Sequence, residues 1–229
     1  MKITGLQKLT LLDFPGRTAA TVFLAGCNLR CPFCHNSRLV LERDYTPIPE
    51  EEVMAYLKKR VGLLDGVCVT GGEPLLSDGT LEFLGRIQAL GYEVKLDTNG
   101  TFPEKLEEAL KSGYVDYVAM DIKNTPEKYP ETVGVSAFDV ECVKRSVELL
   151  KSSGVAHEFR TTLVDTLHTV EDVEQMAKWL GENESYYLQR FVDSGEILEK
   201  GLKALSDEVM QKCLKIASKY VGKAQLRGV

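Results

Sequence analysis

Six short apolar runs, each followed by a stretch of helical periodicity, constrain the fold of this 229-residue chain more than any other feature. The runs are "ATVFLA" (20–25), "GVCVTG" (66–71), "YEVKLDT" (92–98), "VDYVAMDIK" (115–123), "EFRTTLV" (158–164) and "YYLQRF" (186–191). They are mostly continuous rather than strictly alternating, as expected of parallel strands covered by helices. Between them, apolar residues return at three- and four-residue spacing. Val53, Leu57 and Val61 make one stripe, Leu81, Leu84 and Ile87 a second, and Leu106, Ala109 and Leu110 a third. Val140, Val143, Val147 and Leu150 follow, then Val170, Val173, Ala177 and Leu180, then Val209, Cys213, Ile216 and Tyr220. Strand–helix units in series imply parallel strands joined by right-handed crossovers. Six units fall short of the eight that close a barrel. The expectation is an α/β fold, either a partial (β/α)6 barrel or a flat doubly wound sheet. It is read as a single domain over 1–229, with a core over about 18–192 and a C-terminal helix over about 206–220.

The polar motifs fall where either architecture places ligands, at the C-terminal ends of the strands. Cys27 follows the first run, "GGEP" the second, "DTNG" the third and "DIK" the fourth. Cys27, Cys31 and Cys34 are spaced CxxxCxxC on a loop containing Gly26 and Pro32. A closed zinc site takes four protein ligands, and so does an ordinary iron–sulfur cluster. Three thiolates leave one metal corner open. Packing cysteines are rarely so clustered, and zinc completed by His35 would need adjacent Cys34 and His35 to turn toward one ion. A four-iron cluster with one iron free of protein ligands fits best. Cys68, Cys142 and Cys213 read as packing residues.

Charge and hydropathy narrow the setting. Net charge is −6, from 28 basic and 34 acidic residues, with no basic stripe, so no nucleic-acid partner is expected. The apolar part of "LTLLDFPG" is too short for a signal core or a membrane span. A cytoplasmic, reducing setting follows, in which thiols bind metal more readily than they form disulfides.

The cysteine loop with Phe33 before its last thiol, and "TGGEP" (70–74) after the second strand, resemble the radical S-adenosylmethionine (SAM) enzymes. That resemblance implies one [4Fe-4S] cluster on Cys27, Cys31 and Cys34, with the open iron chelated by the amino and carboxylate groups of SAM. Reduction would cleave SAM to methionine and a 5′-deoxyadenosyl radical. Phe33, Gly71, Gly72, Glu73, Asp97, Lys123 and Arg160 are then the implied SAM contacts, with Glu73 as counter-charge to the SAM ammonium. "LDTNG" (96–100) and "AMDIK" (119–123) resemble the glycyl-radical-enzyme activases. There the matching residues, Asp97, Thr98, Met120 and Asp121, would line a monovalent-cation site beside the SAM carboxylate, Met120 through its backbone carbonyl. Arg160 reads equally as a structural ion pair. Gln189 and Arg190 are weaker candidates, and His157 and His168 read as structural. "QKLTLLDFPGRTAATVFLAGCNLRCPFCHN", with the three later motifs, is similar to the longer subgroup of anaerobic ribonucleoside-triphosphate reductase activating proteins, over roughly residues 5–165. The partners so implied are a glycyl-radical enzyme, namely that reductase, and a flavodoxin or ferredoxin as electron donor. Radical chemistry on another glycyl-radical enzyme or on a small molecule is the alternative, and an iron–sulfur redox sensor a more distant one.

Overall fold

The computed structural model describes residues 1–41, 45–193 and 195–228. Each of the six runs is a strand: β2 (Ala19–Leu24), β3 (Gly66–Gly71), β4 (Glu93–Thr98), β5 (Tyr117–Asp121), β6 (Ala156–Leu163) and β7 (Ser185–Arg190). Two further strands flank them, β1 (Ile3–Thr10) and β8 (Lys223–Arg227). The order across the sheet is the order in sequence. β1 runs antiparallel to β2, and every later neighbour is parallel. β1 and β8 are therefore edges, and the sheet is a partial barrel rather than a closed one.

The two edge strands correct the count of six. β1 carries one exposed stretch, Gln7 to Leu9, and two register shifts against β2, as irregular antiparallel edge strands do. β8, "KAQLR", has few apolar residues because only one neighbour covers it.

Helices fill the crossovers: α1 (Ser37–Val40), α2 (Glu50–Lys58), α3 (Thr80–Gln88), α4 (Pro103–Ser112), α5 (Tyr129–Thr132), α6 (Glu141–Ser153), α7 (Val170–Leu180) and α8 (Asp207–Ala217). Their ends follow local chemistry. Pro103 opens α4, where its missing N–H costs nothing. Gly154, at φ 72°, closes α6 in the left-handed region that β-carbons disfavour. Thr169 and Asp172 form a reciprocal capping box on α7. α2 stops at Lys58, so Val61 lies beyond its stripe and is 51% exposed. Among the described residues, no helix is long and apolar enough to cross a membrane.

Strand alternation sorts the two faces of the sheet. Val67, Val69, Val94, Leu96, Val118, Phe159 and Leu188 are buried in the apolar core that the helices cover. Lys95 and Asp97 share one face of β4, Glu158 and Arg160 one face of β6, and these side chains meet inside the barrel. The interior is charged and the shell is apolar.

Candidate active site

β2 ends at Leu24, and the chain leaves the sheet into the loop bearing the three cysteines. Backbone bonds pin that loop: Gly26 N donates to Leu39 O (2.9 Å), Arg30 N to Val133 O (2.8 Å), and Glu199 N to Pro32 O (3.0 Å). The turn after β3 closes onto it, with Gly72 N donating to Leu24 O (2.9 Å) and Glu73 N to Gly26 O (2.8 Å). Only glycine permits this approach. Gly71 sits at φ 127°, and a β-carbon at Gly72 would lie 2.0 Å from Gly26 O.

Cys27, Cys31 and Cys34 line one cavity of about 240 Å³ beyond the C-terminal ends of the parallel strands. Phe33, Gly71 and Gly72 form part of the same wall, and Asp97, Thr98, Asp121, Lys123 and Arg160 face it. Burial pushes the Cys27 thiol up to about 12 and the Cys31 thiol to about 11, and raises Cys34 as well. Bare thiolates are unfavourable there, and a soft iron centre would take up their charge. Among the described residues no three His, Cys, Asp or Glu side chains close around a single ion. The three sulfurs share a cavity wall instead, a setting that suits a cluster several ångströms across. Leu29 N donates to Cys27 Sγ at 3.4 Å, and Asn99 Nδ2 lies 3.7 Å from the same sulfur. These residues fit the cluster that the motif calls for.

The side chains of two expected site residues lie elsewhere. Glu73 is 1% exposed and turns away from the cavity. Its carboxylate accepts from Asn99 N (2.6 Å), Thr98 Oγ1 (2.8 Å) and Leu75 N (3.0 Å). It thus ties the ends of β3 and β4 together. Burial pushes the Glu73 carboxyl up to a pKa of about 7 even though these donors favour the anion. The Met120 side chain is fully buried and packs against Gly100, while the expectation for this residue concerns its backbone carbonyl.

The strand-end acids carry partners that their spacing alone did not disclose. Asp97 Oδ1 pairs with Lys95 Nζ, and Asp97 Oδ2 lies 3.3 Å from Arg160. Asp121 Oδ1 accepts from Arg160 Nε (2.9 Å) and Oδ2 from Lys123 Nζ (3.0 Å). Burial alone would raise both carboxyls, yet Arg160 with Lys95 holds Asp97, and Arg160 with Lys123 holds Asp121, below the ordinary carboxylate range. Arg160 is thus an ion-pair residue and a cavity residue at once.

Other candidates sort plainly. Gln189 reaches the cavity. Arg190 pairs with Asp207 at the surface. His157 bonds Glu184 (2.7 Å), and His168 bonds the Lys123 carbonyl (2.7 Å), holding the strand end that bears Lys123. His35 lies 5.6 Å from the Phe191 ring. Cys68 and Cys213 are buried and Cys142 is half-buried on α6, so none joins the cysteine loop. Sequence reading passed over Asn99, Thr70, Thr162 and Lys95. Lys95 was legible in principle, because it stands two residues before Asp97 on the same strand face.

An incomplete parallel barrel, with a three-cysteine loop and a glycine turn meeting at the strand ends, defines a class of cluster-dependent enzymes. The radical SAM superfamily profile matches residues 21–180. The chain belongs to that superfamily. A Methanocaldococcus jannaschii protein, named as a candidate glycyl-radical enzyme activating enzyme, is 34% identical over 99% of this chain and 96% of its own length. A GTP 3′,8-cyclase of Alkaliphilus oremlandii is 29% identical over 76% of this chain and 60% of its own. The pyruvate formate-lyase-activating enzyme of Clostridium pasteurianum is 26% identical over 77% and 76%. A radical SAM methyltransferase from Sphaerobacter thermophilus shares the fold, with a TM-score of 0.76 and 15% identity over 96% of this chain and 68% of that one.

Proposed function

We propose that this protein is the activase of a glycyl-radical enzyme, and that its target is anaerobic ribonucleoside-triphosphate reductase. The observation that carries the activase reading is the 34% identity with the Methanocaldococcus jannaschii protein, which extends over nearly the whole of both chains. The choice of reductase rests on the likeness of the N-terminal stretch and the strand-end motifs to that activase subgroup.

In this reading Cys27, Cys31 and Cys34 hold the cluster, and the glycine turn at Gly71 and Gly72 lets the SAM backbone groups approach it. When bound, the cluster and SAM supply the electron and the hydrogen-abstracting radical. The chain's own residues hold and shield. Phe33 and Leu29 wall the cavity with apolar surface, which keeps water from the reacting atoms. Lys123 and Arg160 face the cavity with positive charge and orient an anionic group. The unpaired edges β1 and β8 leave the barrel open on one side, where a partner's glycine-bearing loop can enter. A flavodoxin or ferredoxin in the same cytoplasmic compartment supplies the electron.

The test is anaerobic incubation of reconstituted protein, SAM and a reductant with the reductase of the same organism. A glycyl-radical EPR doublet on the reductase is the expected result. SAM cleavage without a doublet there, but with one on another glycyl-radical enzyme, would replace the proposed target.

A further inference from the structure

Asp97 and Asp121 face a cavity that is expected to take the carboxylate of SAM, and like charges at short range repel. Something positive must stand between them. The expected agent was a monovalent metal ion held by Asp97, Thr98, Met120 and Asp121. The side-chain oxygens of Asp97, Thr98 and Asp121 are engaged with protein groups. Each of the four carboxylate oxygens already faces a protein cation: Lys95 and Arg160 on Asp97, Arg160 and Lys123 on Asp121. Thr70 Oγ1 donates a further bond to Asp97 Oδ2 at 3.2 Å. Thr98 Oγ1 donates to Glu73 at 2.8 Å and accepts from Gly100 N at 3.1 Å. The Met120 side chain packs against Gly100 and does not line the cavity.

Charge counting points the same way. Three cations, Lys95, Lys123 and Arg160, stand against two carboxylates, which leaves one positive charge in the network. One ligand carboxylate would neutralise it. A metal ion added to the same oxygens would compete with buried guanidinium and ammonium groups and meet their repulsion. Lys95 is 1% exposed and touches Asp97 from beneath, so it cannot swing aside into solvent.

We propose that Lys95, Lys123 and Arg160 do the work of a monovalent cation in this chain, so that SAM binds without sodium or potassium. Lys123 and Arg160 face the SAM carboxylate. Lys95 is a positioning residue that holds Asp97, and through it Arg160, in place. This rests on the radical SAM assignment and goes beyond it by fixing what neutralises the strand-end acids.

The experiment titrates SAM into anaerobically reconstituted protein, following the cluster EPR signal, in sodium, potassium or choline chloride at equal ionic strength. Wild-type affinity should agree within about twofold across the three salts. Lys123→Ala should bind at least about tenfold more weakly in choline, as expected when one member of a buried charge network is removed. Sodium or potassium should recover part of that loss, because the deletion leaves Asp121 Oδ2 free and a gap beside it. A merely structural role for Lys123 would give no salt-specific rescue. Wild-type affinity that falls about tenfold or more in choline would overturn the proposal and leave SAM binding itself intact. Unchanged affinity of Lys123→Ala in choline would overturn it too. Absence of SAM binding in every salt would sink both the proposal and the assignment beneath it.

Discussion

At Asp121, burial and pairing act against each other, and pairing wins. Desolvation raises the carboxyl, but Arg160 and Lys123 more than offset it, so its folded value lies below the ordinary 3.8. The stability it contributes is therefore complete above that pH and is lost as pH falls through the folded value. Asp121→Asn should cost roughly 3 kcal/mol or less at pH 7, less than for a fully dry pair because the side chain is 29% exposed. The gap from wild type should narrow on acidification. Urea unfolding of the cluster-free protein at neutral and acid pH measures it, and a gap that widens toward low pH would contradict the sign. Cysteine chemistry divides the six thiols in the same residue-level way. Alanine at Cys27, Cys31 or Cys34 should abolish iron incorporation, whereas alanine at Cys142 should leave it unchanged, as iron assay after reconstitution will show. That Cys27, Cys31 and Cys34 would come together was legible from spacing alone. The roles of Glu73 and Lys95 were not, because spacing does not say which way a side chain at a strand end turns.

At the scale of elements, the tightest constraint is the contact of the β3–α3 turn with the cysteine loop. Gly72→Ala would drive a β-carbon into Gly26 O, and Gly71 is already left-handed. Overpacking of this kind costs about 1–3 kcal/mol, and here the strain falls on the residue before Cys27. Reduced iron content together with a lower Tm is expected, and full iron loading with wild-type Tm would refute the contact. β8 depends on a different tie. Arg227 forks onto the buried Glu158 carboxylate, at 2.6 and 2.7 Å, and covers the Tyr187 ring. Arg227→Ala should remove the guanidinium fork from Glu158, leaving the Tyr117 hydrogen bond, and speed hydrogen exchange in β8 before the rest of the sheet. Uniform exchange across β7 and β8 would argue against such a local tie. The six inner strands were readable because the helices cover one face of each, so buried apolar residues recur in every run even where the other face is charged. β1 and β8 were not, since an edge strand needs fewer apolar residues and blends with loop sequence.

Across the whole molecule, the helices wrap an apolar shell around a charged barrel interior, and the cysteine loop stands at its mouth. Only long-range pairing creates that interior. Lys95 on β4, Asp121 on β5 and Arg160 on β6 are remote in sequence and become one charge network when the strands align. In the proposed function, the open corner left by three cysteines is where SAM is bound and cleaved. The direct measurement is anaerobic reconstitution followed by iron and sulfide analysis and chromatography for 5′-deoxyadenosine after reduction with dithionite and SAM. About four irons and four sulfides per chain are expected, with deoxyadenosine formed by wild type and none by Cys31→Ala. Stoichiometric zinc in anaerobically purified protein, with no iron-dependent deoxyadenosine, would contradict it.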